Sequence, residues 1–298
     1  MVYHVPAMLD ESINGLNIRP NGIYVDVTFG GGGHSKEILK RLKNGRLLAF
    51  DQDADAAANL PDDDRLTFLN QNFRFLKNNL RYAGINAVDG IIADLGVSFH
   101  QFDVPDRGFS FRHESMLDMR MNRESSVTAA SLLASLSEEE LAGVFYRYGE
   151  LTNSRRIGRL IAEARNVAEI RTTADLRRAI TPVIPLKNES KFLARIYQAL
   201  RIAVNNEIEN LKDLLSQSLE LLKQGGRLVV ITYHSLEDRV VKNFMKTGNF
   251  EGEVQKDFYG NVVTPFLVIT RKGISPGEDE ISDNPRARSA RLRIAERI

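Results

Sequence analysis

Short apolar runs alternate with helix-like segments over the first third of the chain. Each run is bounded by turn-forming residues, which is typical of buried strands. We therefore predict strands at Ile23–Val27, Leu47–Asp51, Leu66–Asn70 and Val88–Asp94. Between the first two, the segment HSKEILKRL has helical spacing, with Ile38, Leu39 and Leu42 on one face. Strands that alternate with helices indicate an α/β fold with a parallel sheet.

The alternation stops after the fourth predicted strand. From about Pro105 to Leu200 no strand pattern is evident, and a loop rich in Asp, Arg, Gly and Phe leads into helical periods. One helix should begin after Ser137, because serine is a good cap and the three glutamates that follow suit the positive end of a helix. The strand pattern resumes at Gly226–Thr232 and at Phe266–Thr270.

This pattern predicts one α/β domain, formed by residues 1–104 and 201–298, with a helical domain inserted over residues 105–200. Ligands of open α/β sheets bind beyond the carboxyl ends of the strands. The insertion starts at that edge, so we expect it to overhang a ligand and to close over a substrate.

The composition excludes several kinds of site. The 298 residues include no cysteine, which rules out disulfides, thiolate metal sites and a cysteine nucleophile. The five histidines lack the spacing that binds a catalytic metal, so we expect no metal. No apolar run approaches the ~20 residues of a membrane span, and the start of the chain does not resemble a signal peptide. We therefore expect a cytoplasmic protein with no membrane partner.

The net charge of +1 hides an uneven distribution of charge. Residues 147–201 hold twelve basic and five acidic residues, and residues 286–298 hold five arginines and one glutamate. Such basic clusters suit the phosphate backbone of a nucleic acid. The alternative is a solvated helix face with surface salt bridges, which a charge pattern alone does not exclude.

A glycine-rich turn follows the first predicted strand. The run Gly30–Gly33 comes at the carboxyl end of that strand, and Asp51 ends the second strand about 20 residues further on, where an acidic side chain meets ribose hydroxyls. Glycine lets the backbone pass close to a ligand with a positive φ. Strand, turn, helix, strand and acid in this order favour a nucleotide-cofactor site over a glycine turn that binds nothing.

The details of the turn favour S-adenosylmethionine over NAD. A dinucleotide turn has the pattern G-x-G-x-x-G, but Ser35 stands where the third glycine is required. Asp26, at the end of the first strand, adds a carboxylate that repels a pyrophosphate but not the ammonium and sulfonium groups of S-adenosylmethionine. An NAD-linked oxidoreductase remains the second hypothesis.

Polar residues also follow the fourth and fifth predicted strands. Asp94 ends the fourth strand and could cap the next turn, hold a substrate amine or hold the methionine part of a cofactor. His234 and Ser235 follow the fifth strand, but adjacent residues rarely form a catalytic pair, and the sequence has no G-x-S-x-G elbow. Ser235 with Asp238 is more typical of a helix start.

Longer segments carry more specific information. In chain order they are His4-Val5-Pro6, DVTFGGGGHS, DLGVS with RGFSF, LDMRM, YGE with SRRI, QALRIAVNNE, HSLEDRVVK and NPRARSARLR. Together they closely resemble the bacterial 16S rRNA (cytosine-N4)-methyltransferase family, the small-subunit rRNA methyltransferase H type. The resemblance implies a class I S-adenosylmethionine-dependent methyltransferase, with a Rossmann-like, mostly parallel sheet and a helical insertion that aids substrate recognition. It also implies a cytidine in the decoding region as substrate, with 16S rRNA or the small ribosomal subunit as partner.

The resemblance assigns cofactor-binding residues by position, namely Gly32, Gly33, His34, Asp51, Phe73, Asp94 and Gln101. The amides of the glycine turn can receive the carboxylate of the cofactor, as helix starts receive anions. Phe73 offers a flat apolar face to adenine, although a core position is the alternative. Gln101 can both donate and accept hydrogen bonds.

Three segments depart from the family pattern. Phe99 and His100 replace the end of DLGVSSPQ, and KFLARIYQA stands where the family favours HPATRTFQA, keeping Arg195 and Gln198. The family segment ISFHSLED becomes ITYHSLED, with Tyr233 in place of the phenylalanine. These changes affect details of the substrate loops rather than the cofactor residues.

We predict methyl transfer from S-adenosylmethionine to the exocyclic amine of a cytosine. Methylation of ring carbon 5 normally needs a cysteine that adds to carbon 6, and the chain has none. The amine needs an acceptor, for which Asp94 is the first candidate and His234 the second, although Asp94 could instead only position the cofactor. A non-catalytic, RNA-binding ribosome-assembly factor is the non-enzyme alternative. For binding RNA phosphates we predict Arg155, Arg156, Arg159, Arg195, Arg286, Arg288 and Arg291.

Overall fold

The structure is a computed structural model that describes residues 6–298, so the family match at His4 and Val5 lies outside the described residues. The chain forms two compact units. The sheet unit comprises Met1–Gly96 and Ile208–Ile298, and the helical unit comprises Val97–Glu207. The helical unit is wider than the predicted insertion, because its last helix runs without a break to Asn205.

Nine strands are found in the described residues: β1 (Ile23–Asp26), β2 (Arg46–Phe50), β3 (Leu66–Leu69), β4 (Val88–Asp94), β5 (Leu222–Thr232), β6 (Gln255–Lys256), β7 (Val262–Val263), β8 (Phe266–Val268) and β9 (Arg291–Arg297). Seven of them form one sheet in the order β3-β2-β1-β4-β5-β9-β8, and β6 and β7 form a separate hairpin. Strands β1 to β5 are parallel, whereas β9 is antiparallel to both β5 and β8. The predicted α/β class and mostly parallel sheet are confirmed.

All six predicted strands are present, with small differences at their ends. Strand β5 begins earlier than predicted, at Leu222, and its register with β4 shifts before Arg227. Strand β8 ends at Val268 because the amides of Ile269 and Thr270 both donate to the carbonyl of Ile294, which breaks the regular ladder.

Strand β9 is not predicted by the sequence analysis, because its arginines suggest a basic tail. In the structure Leu292, Ile294 and Ala295 are buried. Arg293 is buried as well, and its guanidinium group donates to both carboxylate oxygens of Asp238, with Nε–Oδ1 2.6 Å and Nη2–Oδ2 2.9 Å. This bidentate pair allows a charged side chain to lie inside the fold.

Helices accompany the strands in both units. In the sheet unit they cover both faces of the sheet, because alternate strand residues point to opposite faces. Val25 packs with a core that includes Leu76, Leu211 and Val241, whereas Tyr24 packs with a core that includes Ile13 and Ile38. The helices are α1 (Leu9–Gly15), α2 (Gly33–Arg41), α3 (Leu76–Tyr82), α4 (Phe99–Asp103), α5 (Ala129–Ser135), α6 (Glu138–Gly149), α7 (Ser154–Arg165), α8 (Thr173–Ile180), α9 (Glu189–Asn205), α10 (Glu207–Leu221), α11 (Ser235–Thr247) and α12 (Glu278–Asp283).

The helical unit packs α5 to α9 around its own apolar core, which includes Phe145, Ile157 and Ile196. The predicted start of α6 is confirmed, since Ser137 Oγ accepts a hydrogen bond from the amide of Glu140 and the Glu140 carboxylate accepts one from the amide of Ser137. Within residues 97–207 no strand is found beyond one isolated bridge. Nowhere in residues 6–298 is a helix long and apolar enough to span a membrane.

Candidate active site

The carboxyl ends of four neighbouring parallel strands bring the candidate polar residues of the sheet unit to one edge. Asp26 ends β1, Asp51 follows β2, Asp94 ends β4 and Tyr233 follows β5. Because β2, β1, β4 and β5 are adjacent in the sheet, residues far apart in sequence meet at this edge. It is also the edge at which open α/β sheets bind their ligands.

The glycine turn joins β1 to α2 and is held by close packing. Gly32 precedes the helix with a φ of 75°, a left-handed conformation that favours glycine. A Cβ atom on Gly32 would lie 2.7 Å from the ring of Phe29, and one on Gly33 would lie 2.4 Å from Pro6 Cγ. These two glycines are therefore required by the protein's own packing, which also sets the first amides of α2 at the open end of the helix.

Asp51 is tied to this turn. Its Oδ2 accepts a hydrogen bond from the amide of Gly30 at 2.7 Å, and its Oδ1 accepts one from the amide of Asp53 at 2.8 Å. Burial raises the pKa of Asp51 to about 6, and the neighbouring carboxyl groups of Asp53 and Asp26 act in the same direction. Each carboxylate oxygen keeps a lone pair for a ligand hydroxyl.

Asp26 has a structural part in the same turn. Its Oδ2 accepts from Ser35 Oγ at 2.6 Å and its Oδ1 accepts from the amide of Thr28 at 3.0 Å, so the carboxyl group fastens β1 to α2. The side chain is buried, and burial raises its pKa. Its charge also raises the pKa of Asp51 and of Asp94.

Asp94 is held between β1 and β5. Its amide donates to Thr28 Oγ1 at 2.6 Å, and its Oδ1 accepts a hydrogen bond from the hydroxyl of Tyr233 at 2.8 Å. The pKa of Asp94 is raised to about 7. Burial is the largest cause, and Asp26 and Glu237 act in the same direction, whereas the hydrogen bond from the Tyr233 hydroxyl lowers the pKa. A carboxyl group that titrates near neutral pH is suited to accept a proton.

His34 lies in the first turn of α2, beside Asp94. Its Nδ1 is 3.9 Å from Asp94 Oδ2. Burial lowers the pKa of His34 to about 4, with a smaller opposing effect from a backbone hydrogen bond to Ala7, so the ring is neutral near pH 7. Its Nε2 is buried and has no hydrogen-bond partner among the described residues.

Helix α11 begins at Ser235, where the sequence predicts a helix start, and His234 is its N-cap. Its Nδ1 accepts from the amide of Glu237 at 3.4 Å, and its Nε2 lies 3.1 Å from Glu237 Oε1. The second carboxylate oxygen of Glu237 accepts from the amide of Tyr233 at 2.9 Å. The imidazole thus caps the helix through Nδ1, whereas its buried Nε2 has no hydrogen-bond partner among the described residues.

Phe73 and Gln101 belong to different units. Phe73 follows β3 in a short turn opened by Asn72, and its ring is partly buried against the core of the sheet unit. Gln101 lies in the helical unit, where it forms a reciprocal capping pair with Ser98. Both roles are compatible with cofactor binding, which remains a prediction for these two residues.

The predicted RNA-binding arginines differ in exposure. Arg155, Arg156 and Arg159 are exposed on α7, around a shallow groove that also includes Glu138 and Glu163. In the remaining segments Arg195, Arg286 and Arg288 are exposed, whereas Arg291 lies in β9 with its Nε 3.7 Å from Asp238 Oδ1.

The described residues fit S-adenosylmethionine, which carries both an anionic carboxylate and cationic groups. The turn is open above Gly30, where an added Cβ would meet nothing closer than a carbonyl oxygen at 3.9 Å. The unpartnered Nε2 of His34 is an unused polar group at the same edge. Asp51 and Asp94 have raised pKa values, and an adjoining cation would favour their ionised forms.

Two features of the site are missed by the sequence analysis. One is the hydrogen bond between Tyr233 and Asp94, although the substitution of tyrosine for the family's phenylalanine was a visible signal. The other is the pairing of Arg293 with Asp238, for which the alternation of apolar and basic residues in β9 was the available sign.

The sheet order, the glycine turn after β1 and the acidic residues beyond β2 and β4 define a class I S-adenosylmethionine-dependent methyltransferase. The model of the MraW methylase family matches residues 1–298, and the chain belongs to this family. An NAD-linked oxidoreductase and a non-catalytic assembly factor gain no support from this match.

Curated relatives agree with the family. The chain is 56% identical over 297 residues to the ribosomal RNA small subunit methyltransferase H of Phocaeicola vulgatus, covering 99% of this chain and 98% of the relative. It is 56% identical over 299 residues to the protein of the same name from Flavobacterium johnsoniae, covering 100% and 99%. A solved rRNA methylase from Streptococcus thermophilus is a distant likeness, with a TM-score of 0.45 and 12% identity over 100% of this chain and 99% of that one.

Proposed function

We propose that this methyltransferase transfers a methyl group to the exocyclic N4 amine of a cytidine in the decoding region of 16S rRNA. The proposal rests above all on the partly buried carboxyl group of Asp94, which lies at the ligand edge of the sheet with its pKa raised to about 7. The names of the curated relatives support small-subunit rRNA as the substrate. A ribosomal substrate would place the enzyme in the cytoplasm.

The residues that would hold S-adenosylmethionine lie at the carboxyl ends of β1 to β4. The amides at Gly32 and Gly33 would receive its carboxylate, and Asp51 would accept hydrogen bonds from its ribose hydroxyls. Phe73 would face the adenine, and His34 has an unused Nε2 for a polar contact. In the helical unit, Gln101 is the further proposed cofactor residue. When bound, the cofactor supplies an electrophilic methyl group on a sulfonium.

Asp94 would activate the amine. The lone pair of a cytosine amine is delocalised into the ring, so an acceptor must hold an N–H and favour tetrahedral geometry at nitrogen. As the amine nitrogen is methylated, the Asp94 carboxylate would take up the proton that the nitrogen loses. His34 is neutral near pH 7, because burial lowers its pKa to about 4, so it does not compete as a nearby positive charge.

Exposed arginines would bind the RNA backbone. Those on α7 and α9, together with Arg286 and Arg288, are accessible to phosphates. Arg291 is a weaker candidate, since it is engaged in β9.

The function is tested by mapping the methyl group and by replacing Asp94. Mass mapping of 16S rRNA, in small subunits that lack the modification, should place the new methyl on a cytidine N4. Asp94→Asn keeps the shape but removes the charge, and should slow single-turnover methyl transfer about 10²-fold or more at saturating cofactor and rRNA. The exposed Asp62→Asn is the matched control and should keep the wild-type rate. A methyl on carbon 5, or a near-normal rate for Asp94→Asn, would contradict the mechanism.

A further inference from the structure

The hydroxyl group of Tyr233, the residue that follows β5, faces the carboxyl group of Asp94. Its oxygen lies 2.8 Å from Asp94 Oδ1. Burial raises the pKa of Tyr233 well above its ordinary value, and the nearby Asp94 raises it further. The hydroxyl therefore keeps its proton at neutral pH and donates it in this hydrogen bond.

The tyrosine is held in place from three sides. Its amide donates to Glu237 Oε2 at 2.9 Å, and its hydroxyl is fixed by Asp94. The ring lies against Gly96, where an added Cβ would be 3.3 Å from Tyr233 Cδ2, and Gly96 has a φ of 96°. A donor fixed in this way loses little conformational entropy when it orients its partner.

Each element packed around Asp94 presents a titratable group to it. Asp26 comes from β1, Glu237 from α11, His34 from α2, and Tyr233 follows β5. Burial raises the pKa of Asp94, and the first two groups raise it further. Because His34 is neutral near pH 7, it does not offset them. The Tyr233 hydroxyl acts in the opposite direction and lowers the pKa of Asp94.

We propose that Tyr233 is a positioning residue for methyl transfer, whose hydroxyl occupies Oδ1 of Asp94 and leaves Oδ2 to accept the proton of the substrate amine. Asp94 Oδ2 faces His34 Nδ1 at 3.9 Å, which is beyond hydrogen-bond range. Tyr233 keeps its own proton throughout. This role rests on the proposed function of Asp94.

The test is the pH profile of single-turnover methyl transfer to undermethylated small subunits, measured for the wild type and for Tyr233→Phe. The wild-type rate should rise with pH as Asp94 ionises. Loss of the hydroxyl should shift this rising limb to higher pH by about one unit or more. The hydrogen bond stabilises the ionised carboxylate by a free energy that corresponds to a change of that size in the pKa of Asp94. Rates should be about 10-fold lower below the limb and should converge above it. Carbon NMR titration of the Asp94 carboxyl group should show the same shift without turnover.

The matched control is Tyr24→Phe, which removes another buried hydroxyl of the sheet unit, one that accepts from the amide of Arg19 at 2.7 Å. It should leave the limb in place. An unmoved limb in Tyr233→Phe, or a rate lowered by the same factor at every pH, would overturn the proposal, since lost folded protein scales all rates equally. Asp94→Asn in the same assay separates the role of Asp94 from that of Tyr233. A normal rate for Asp94→Asn would refute Asp94 as the proton acceptor. A slow rate for Asp94→Asn, together with an unshifted pH profile for Tyr233→Phe, would refute only the role of Tyr233.

Discussion

Three carboxyl groups lie at the ends of neighbouring strands, that of Asp26 buried and those of Asp51 and Asp94 partly buried. Burial raises the pKa of each, and Asp26 also raises the pKa of the other two. Ionising all three together is unfavourable, and a bound cation relieves that cost. The arrangement therefore selects for a cofactor with ammonium and sulfonium groups and against one with a pyrophosphate.

Replacing Asp51 should weaken the cofactor without unfolding the protein. Hydrogen bonds to a charged group contribute about 1.5–3 kcal/mol, so Asp51→Ala should raise the dissociation constant of S-adenosylmethionine roughly 10- to 150-fold. Calorimetry at pH 8, above the raised pKa of about 6, measures this with the carboxylate ionised. The exposed Asp62→Ala serves as the control. An unchanged dissociation constant would remove Asp51 from the site.

The sequence predicts single site residues better than the pairs they form. Asp51 and Asp94 are predictable because each stands at the end of an apolar run, where a parallel sheet displays its ligands. The bond from Tyr233 to Asp94 joins residues 139 positions apart and depends on the register that sets Asp94 beside Ile231. Side-chain direction likewise decides that His234 caps a helix, and residue order does not fix that direction.

At the scale of elements, β9 shows where pattern reading fails. Parallel strands buried on both faces read as continuous apolar runs, which is why β1, β2 and β4 are predictable. Strand β9 carries arginines between its apolar residues, and its burial depends on Asp238 of α11 neutralising Arg293. A short stretch of sequence does not show which residue of another element will neutralise such a charge.

Strand β9 should be essential for stability. Leu292 is fully buried between β5 and β8 in the sheet order. Leu292→Ala should therefore lower the free energy of unfolding by about 2–5 kcal/mol, measured by urea denaturation. Ile298→Ala, at a side chain that is 54% exposed, should change it little. Equal stabilities of the two variants would contradict the packing of β9. Deletion from residue 286 consequently tests folding rather than RNA binding.

Helix α7 is the clearest basic element. Arg159 pairs with Glu163 at 2.8 Å, but both side chains are more than half exposed, so solvent screens this ion pair and it contributes little to stability. The exposed Arg155, Arg156 and Arg159 therefore remain available to phosphates at small cost.

Neutralising α7 should weaken RNA binding and flatten its salt dependence. The triple variant Arg155→Ala, Arg156→Ala and Arg159→Ala removes up to three phosphate contacts, and each contact contributes about 0.7–0.9 to the slope of log affinity against log salt. Filter binding of 16S rRNA over a salt series measures the slope. A control that removes the exposed Lys43, Arg46 and Arg81 takes away the same charge from the sheet unit. If the α7 variant kept the salt dependence of the wild type, these arginines would form a solvated helix face and would not bind phosphates.

At the scale of the whole molecule, the proposed tasks divide between the two units. The cofactor residues lie in the sheet unit, apart from Gln101, and four of the seven predicted RNA-binding arginines lie in the helical unit. Each unit has an apolar core of its own. Variants of the intact chain can therefore measure the contribution of the sheet unit to cofactor binding separately from the contribution of the helical unit to RNA binding.

Hydrogen exchange should locate the cofactor. Saturating S-adenosylmethionine should slow amide exchange at residues 26–34, 51–53 and 94–96 of the sheet unit, because ligand contact stabilises the closed state of these segments. Slower exchange at 98–103 would support the role proposed for Gln101. NAD at the same concentration should have no effect. Unchanged exchange at residues 26–34 would refute the assignment of the glycine turn.

The place of β9 in the sheet has a consequence for biosynthesis. The helical unit is continuous in sequence, whereas the sheet unit is assembled from segments on either side of it. During translation β4 emerges with its hydrogen-bonding edge open, and it stays open while the whole helical unit is made. Strand β5 closes that edge, but its own far side stays open until β9 has been synthesised. Open strand edges promote aggregation, so the nascent chain is vulnerable until β9 has joined the sheet.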